Sequence, residues 1–275
     1  MNSLTEEELD SLPLKELIQR MDDFLLESNE ERYGKLPDGL TISLPRELVN
    51  TAVVQKWQEP EVRKIAYLVF SYLVQLELSS VSSGFANRIL FTEAYKTTDW
   101  KSPVFRLRDG VIRQYQIISS RMAFEIFIDL LYCVETGERL TSKRSKLKKF
   151  RSWLQDVENR FHYFAHVLLI AYRFDRDVRT LEVHGSSRLP RKALLLKEPE
   201  REEMNQPFHL TNALINIWRP LIDILNNIRP TSMVYTDMSQ IEKHQEWFLA
   251  YMSGDNEAIE AKLDEMLNNI NNDDI

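Results

Sequence analysis

Long stretches of apolar residues at helical spacing dominate this chain, and glycine is scarce. Between residues 61 and 78 apolar side chains lie on nearly every side of the helix axis, which is typical of a helix in the centre of a core. A second long stretch, residues 111–136, has the same spacing and ends at Gly137. Only seven glycines occur in 275 residues, so few positions favour tight turns. These patterns predict an all-α protein.

The remaining elements are also predicted to be helices. One amphipathic helix follows Pro13, and an alternating stretch at Leu40–Leu44 is compatible with one short strand. A turn-like segment at Thr97–Pro103 and an acidic connector before residue 208 separate other elements. The further predicted helices cover residues 81–95, 142–157, 158–184, 208–228, 241–251 and 256–270.

We interpret the chain as a helical bundle with additional helices at both ends. Residues 1–44 form an N-terminal helical arm and loop, residues 45–232 form the helical domain with a core at 105–192, and residues 233–275 form a C-terminal appendage with an acidic tail. The longest apolar run, Ile65–Leu76, is too short and too polar to cross a bilayer. The start of the chain is acidic and is no signal peptide. The lone Cys133 lies in an apolar stretch, so we expect a cytoplasmic protein without a membrane partner.

Positive charge is concentrated in one block of an otherwise acidic chain. The whole chain has a net charge of −7, yet residues 139–192 contain fourteen Lys and Arg against five Asp and Glu. A segregated basic block is typical of a surface that binds a phosphate backbone. The alternative is a solvated basic face that the acidic tail complements. The candidate RNA-binding residues in this block are Lys143, Arg144, Lys146, Lys148, Lys149, Arg188, Arg191 and Lys192.

An unusual helix end lies inside the basic block. Arg179 is followed after four residues by His184 and then by Gly185. Residues five apart lie about 140° apart around a helix, so Arg179 and His184 converge only if the helix ends there or two subunits share the site. A purely local explanation also exists, because glycine terminates helices and cations stabilise helix C-termini.

The segment Arg179–Gly185 resembles the signature of the HEPN superfamily (higher eukaryote and prokaryote nucleotide-binding domains). In that family an arginine precedes a histidine by four to six residues near a helix end, often with glycine next. The stretch from Ser120–Glu125 to Trp153–Leu154 resembles the two helices that precede the motif in prokaryotic members. The resemblance covers about half of the chain.

The resemblance implies a bundle of about four helices that forms a homodimer. Many members are metal-independent endoribonucleases of toxin or antiphage defence systems, and others only bind RNA. Carried over by position, His184 is the general acid or base and Arg179 stabilises the phosphate, with Glu125 as the polar residue of the earlier helix. The RNA 2′-hydroxyl supplies the nucleophile, so the resemblance implies neither a metal nor another cofactor.

Two positions depart from the pattern of the family. Members often have asparagine directly after the arginine, where this chain has Thr180. Members that a partner nucleotidyltransferase modifies have tyrosine two residues after the histidine, where this chain has Ser186. A regulatory protein partner is still compatible with the resemblance, but the second departure argues against that style of regulation.

Two alternatives remain open. Glu158, His162 and His166 are four residues apart, so one helix face could present them to a metal ion. Histidines at this spacing are more often hydrogen-bonded core residues. The rival function is a non-catalytic interaction or scaffold protein whose basic block docks an acidic partner.

Overall fold

The structure is a computed structural model, and it describes residues 5–33, 42–91, 103–140, 146–156, 164–176, 201–230, 246–247, 249–251 and 253–272. Over these residues the chain is helical and contains no strand, which confirms the prediction of an all-α protein. The helices are α1 Glu6–Ser11, α2 Leu14–Tyr33, α3 Pro45–Val49, α4 Glu59–Phe91, α5 Pro103–Thr136, α6 Lys146–Asp156, α7 Ala165–Phe174, α8 Arg201–Asn216, α9 Trp218–Leu225 and α10 Asn256–Asn272. Residues 246–247 and 249–251 are also helical.

The helix pair α4 and α5 forms the centre of the fold. These two helices make the most extensive helix–helix contact, and α2, α3 and α8 also pack against α4. The prediction of a central helix around residues 61–78 is therefore confirmed, although its buried residues lie on one side and Lys64 and Ser71 are exposed on the other. Its buried apolar residues are Val62, Ile65, Ala66, Leu68, Val69, Tyr72, Leu73 and Leu76.

Three buried hydroxyl groups connect α4, α5 and α8. The Oγ atoms of Ser79 and Ser120 are 2.8 Å apart, and Oγ1 of Thr211 lies 2.6 Å from Ser79 and 3.0 Å from Ser120. All three side chains are buried. A hydroxyl both donates and accepts, so the three groups form a closed hydrogen-bonded ring inside the apolar core.

Pro220 explains why the predicted helix over residues 208–228 is divided. Proline has no N–H to donate to the carbonyl four residues earlier, and its ring crowds that carbonyl; α8 ends at Asn216 and α9 begins at Trp218. The α9 helix then ends in a Schellman motif, with Asn227 in the left-handed conformation (φ 58°) and the Ile228 N–H donating to the Asp223 carbonyl at 2.8 Å.

Several predicted boundaries differ from the structure. The helices predicted at 61–78 and 81–95 are one helix, α4, because Ser79 directs its hydroxyl into the buried ring and does not interrupt the helix. The α5 helix begins at Pro103, since proline suits a first helical position and an isolated glycine such as Gly110 is tolerated inside a helix. The α8 helix begins at Arg201, within the predicted acidic connector.

The predicted strand is also absent where the structure describes it. Leu44 has extended backbone (φ −124°, ψ 144°) but directly precedes Pro45, the first residue of α3. Residues 42–44 belong to no strand; Leu40 and Thr41, like most of the predicted turn at Thr97–Pro103, lie outside the described residues. An extended residue ahead of a proline-initiated helix has the same local pattern as a strand residue.

The terminal helices share the core of the central helices. Leu17, Met21 and Leu25 of α2, and Ile259 and Leu263 of α10, are buried in the same hydrophobic cluster as α4 and α5. The domain boundaries at residues 44 and 232 remain predictions. Among the helices that the structure describes, none is long and apolar enough to cross a membrane.

Cys133 is fully buried in α5, as its apolar surroundings predict. Burial raises the pKa of its thiol to about 11, with a smaller contribution from the nearby Asp129 carboxylate. The thiol is therefore protonated and unreactive at neutral pH.

We predict that Gly137→Ala lowers the free energy of unfolding by about 2–3 kcal/mol. Gly137 ends α5 with φ +70°, and a Cβ there would lie 3.0 Å from a ring carbon of Trp57. That ring cannot move freely, because its N–H donates to the Val134 carbonyl at 2.8 Å. Urea denaturation measures the loss.

Gly254→Ala is the matched control. Gly254 has a similar φ of +73°, but the nearest atom to its added Cβ would be a guanidinium nitrogen of Arg151 at 3.8 Å. In the control, the free energy of unfolding should fall only by the conformational cost of about 1 kcal/mol. Equal losses in the two variants would show that contact with Trp57 plays no part.

Candidate functional site

The structure describes part of the predicted site. Arg179, His184 and the flanking basic residues Lys143, Arg144, Arg188, Arg191 and Lys192 lie outside the described residues. Glu125 lies on α5, and Lys146, Lys148 and Lys149 lie on α6. The described part of the predicted site therefore consists of these four residues and the C-terminal end of α7.

Glu125 forms an ion pair with an arginine one turn earlier on the same helix. The Nε atom of Arg121 lies 3.3 Å from Oε1 of Glu125. The Glu125 side chain is 38% exposed, whereas that of Arg121 is only 8% exposed. The carboxylate therefore faces solvent while the guanidinium behind it is buried.

Arg121 connects α5 to the end of α7. Its Nη2 atom lies 3.2 Å from Oδ2 of Asp175, and its guanidinium carbon lies 5.1 Å from the ring centroid of Phe124. A buried guanidinium is costly unless carboxylates and aromatic faces replace its water. Here two carboxylates, Glu125 and Asp175, compensate one buried cation.

This ion-pair network lies close to the motif along the chain. Three residues separate Asp175 from Arg179, and four peptide steps cover at most about 14 Å. Arg121 thus holds the predicted polar residue, Glu125, near the point where the described part of α7 leads toward the motif.

A second ion pair lies on the next residue of the chain. Arg176 Nη1 lies 2.8 Å from Oε2 of Glu260 on α10, and the hydroxyl of Tyr172 donates to Oε1 of the same carboxylate. The Glu260 carboxylate therefore binds two donors, Tyr172 on α7 and Arg176 just after it.

Aromatic rings pack around Tyr172, and one of them contacts a third arginine. The ring of Tyr172 packs edge-on against Trp247 at 6.0 Å and Tyr251 at 6.4 Å, and the latter two rings stack at 5.1 Å. Arg151 of α6 lies over the Tyr251 ring, 4.6 Å from its centroid. Hereafter the arginine–aromatic cluster means Arg151, Tyr172, Arg176, Trp247 and Tyr251 together with Glu260.

Both tyrosines of the arginine–aromatic cluster are poor acids. Burial, and then the hydrogen bond to Glu260, raises the pKa of Tyr172 to about 12. Burial also raises the pKa of Tyr251, although the neighbouring Arg151 guanidinium lowers it. Both hydroxyls therefore stay protonated at neutral pH, and Tyr172 can donate a hydrogen bond to an anion.

The lysines of α6 do not share one environment. Lys148 is exposed, whereas Lys146 and Lys149 are partly buried. The Lys149 ammonium lies 5.0 Å from the Tyr132 ring centroid, so its charge sits on an aromatic face. Phe150 and Leu154 anchor α6 in the core, and the lysines occupy the surface that remains.

A groove of about 550 Å³ beside α2 and α3 offers a different concave surface. Its buried Asp22 lies 3.5 Å from the Nε of Arg46 and accepts the Arg46 backbone N–H. Burial raises the pKa of Asp22, against the opposing effect of Arg46. Since this carboxylate already joins α2 to α3, we interpret it as a structural residue.

The metal alternative falls largely outside the described residues. No group of three or more His, Cys, Asp and Glu side chains suited to a metal ion occurs within the described residues. Glu158 and His162 lie outside them, and for His166 only its place in α7 is described.

The ion pair of Glu125 is local along the chain, whereas the other ion pairs of this region join distant helices. Arg121 carried a usable signal, because oppositely charged residues four apart pair on a helix. Asp175, Arg176 and Glu260 carried none, since their contacts join helices that are distant along the chain.

Comparison with known proteins found no match: no protein-family model, curated protein or solved structure matches this chain. The HEPN resemblance therefore rests on the motif and its basic surroundings.

We predict that Arg121→Met lowers the free energy of unfolding by about 1–3 kcal/mol, less than for a fully buried pair because both carboxylates retain some water. Arg121→Lys should recover only part of the loss, since one ammonium cannot reproduce two contacts of a planar fork. Urea denaturation measures both variants.

Lys262→Met provides the control. Lys262 also pairs with two carboxylates, Glu246 at 2.6 Å and Glu265 at 2.9 Å, but these are exposed. Removing the charge of Lys262 should change the free energy of unfolding little. An Arg121→Met variant as stable as the control would show that the buried network contributes nothing.

Proposed function

We propose that this protein is a HEPN-like homodimer that binds RNA and cleaves it without a metal ion, in a toxin or antiphage defence system of the cytoplasm. The observation that carries the proposal is the Arg179–His184–Gly185 motif within a block of net charge +9. The buried thiol of Cys133 fits a reducing compartment.

The proposed chemistry needs only protein side chains and the RNA. His184 takes the proton from a 2′-hydroxyl as its oxygen attacks the adjacent phosphorus. The bond to the 5′-oxygen breaks, that oxygen takes a proton from water, and the protonated His184 returns its proton to solvent. The products are a 2′,3′-cyclic phosphate and a 5′-hydroxyl. Histidine titrates near neutral pH, and the Arg179 guanidinium pairs with the charged phosphate in the transition state.

Glu125 supports this proposal by its position. Arg121 binds Glu125 and Asp175 together, so the carboxylate that the resemblance selects is held beside the helix that precedes the motif. A partly exposed carboxylate at this place can orient a histidine or stabilise its protonated form.

An exposed apolar stripe on α5 supports the homodimer. Tyr115, Ile118 and Met122 are exposed at positions i, i+3 and i+7, so they share one helix face. Glu125 follows on the next turn. An apolar stripe on a surface is typical of a protein–protein interface, and a second copy packed there brings two Glu125 side chains into one interface.

The alternative function is a scaffold whose basic block docks an acidic protein. The pairing of Arg176 with Glu260 favours it, since arginine at the end of α7 already binds a carboxylate. A scaffold needs neither cleavage nor an intact His184, so the two functions separate in a cleavage assay.

We predict that replacing Lys146, Lys148 and Lys149 together with Gln weakens RNA binding and flattens its salt dependence. Each lost phosphate contact removes counterion release, so the slope of log affinity against log salt should fall by about 0.7 per contact for a single strand. Fluorescence anisotropy with a labelled oligoribonucleotide at several salt concentrations measures the change.

The control removes three lysines elsewhere. Lys15, Lys56 and Lys64 lie on α2, the short 3₁₀ turn Val54–Lys56 and α4, outside the basic block, so their replacement with Gln changes the net charge equally. If both triple variants lose affinity alike, only the total charge matters and the block is a solvated face.

We predict that His184→Ala and Arg179→Ala fold and dimerise normally yet cleave RNA at least about 100-fold more slowly, the lower bound for a lost general acid or base. Unfolding free energy should change by at most about 1 kcal/mol. Arg179→Lys should recover little, because lysine lacks the planar fork. Cleavage is measured in excess chelator.

Three results would contradict this assignment. Unfolding of His184→Ala would make the histidine structural, and undiminished cleavage by both alanine variants would place the activity elsewhere. Activity that chelator abolishes and a divalent ion restores would revive Glu158, His162 and His166 as metal ligands.

A further inference from the structure

The carboxylate of Glu260 occupies a site with two donors. Tyr172 donates to one oxygen, and Arg176 lies 2.8 Å from the other. Two donors aimed at the two oxygens of one anion form the arrangement that also suits the two non-bridging oxygens of a phosphodiester. The carboxylate therefore resembles a phosphate group in its shape and in its negative charge.

A second arginine lies close to this position. The guanidinium groups of Arg176 and Arg151 both lie close enough to Tyr172 to favour ionisation of its hydroxyl. Arg151 also lies over Tyr251, the ring that packs against Tyr172. An anion that replaces the Glu260 carboxylate is attracted by these guanidinium groups.

The C-terminal helix does not depend on this ion pair for its attachment. Ile259 and Leu263 of α10 are buried, as are Trp247 and Tyr251 shortly before it, and their burial supplies most of the stabilisation. The side chains of Arg176 and Glu260 are 32% and 40% exposed. An ion pair this accessible to water contributes little, so another anion can displace the carboxylate while α10 stays docked.

We propose that Arg176 and Tyr172 form an additional phosphate-binding site for RNA, and that Glu260 occupies this site in the free protein. This inference rests on the proposed function and extends it to regulation by the acidic C-terminal segment. Residues 246–275 contain eight Asp and Glu and one Lys. RNA therefore gains a contact at Arg176 only when it displaces Glu260.

The site lies close to the motif along the chain, because Arg176 precedes Arg179 by three residues. Arg151 belongs to α6 and follows Lys148 by three residues, so the two share one helix face. Arg151 therefore links the additional site to Lys148.

The test measures RNA affinity of Glu260→Gln. Removing the competing carboxylate should tighten binding of a labelled single-stranded oligoribonucleotide by about two- to fivefold, the range that an exposed ion pair allows. Glu265→Gln is the matched control, because Glu265 lies on the same helix, carries the same charge and pairs with Lys262. The control should bind RNA like the parent.

A second set of variants tests whether Arg176 is the site. Arg176→Gln should weaken RNA binding and lower its salt slope by about 0.7. In the double variant Arg176→Gln with Glu260→Gln, the gain from removing Glu260 should vanish. Tyr172→Phe should weaken binding less, since it removes a donor but no charge. Urea denaturation shows whether each variant remains folded.

The outcomes separate this inference from the proposed function. If the parent binds RNA and Glu260→Gln binds no better, or if Glu265→Gln gains equally, the additional site is wrong while the function stands. If Glu260→Gln still gains affinity without Arg176, the carboxylate acts elsewhere and the site is again wrong. If no variant binds RNA but an acidic peptide binds, both proposals are wrong.

Discussion

The need to cover the apolar surface of α4 determines the arrangement of the other helices. Its buried residues, from Val62 to Leu76, lie on one side of the helix, while Lys64 and Ser71 on the opposite side are exposed; α2, α3, α5 and α8 pack against α4. Burial of apolar area is the dominant favourable term in folding, and here one helix concentrates it. Three of the polar groups that are buried here, the Ser79, Ser120 and Thr211 hydroxyls, bond to one another.

The helical class of this protein follows from its sequence, but helix ends do not. Periodic apolar residues predict α2, α4 and α5 because periodicity reports a buried face over many residues. A boundary depends on one or two residues whose effect is tertiary. Ser79 lies between two predicted helices, yet the helix continues through it and its hydroxyl is a core contact. Pro220 divides a predicted helix because it lacks one N–H. Leu44 shares the extended backbone of a strand residue without a neighbouring strand.

The candidate site is predictable only where its interactions are local. Glu125 was selected by resemblance, and its partner Arg121 lies one turn away. Asp175 and Glu260 approach from other helices, and single-sequence spacing contains no information on such contacts. The alternative in which the acidic tail complements the basic block agrees with one contact, that between Glu260 and Arg176.

The hydroxyl ring of Ser79, Ser120 and Thr211 has a consequence for movement. An α-helix advances 1.5 Å and turns about 100° with each residue, so a slide of α4, α5 or α8 by one residue carries its oxygen out of hydrogen-bond range of the other two. The ring thus fixes the register of these three helices relative to one another. The ion pair between Arg176 and Glu260 is partly exposed to water and, unlike the ring, imposes no buried hydrogen bonds on the helices that it joins.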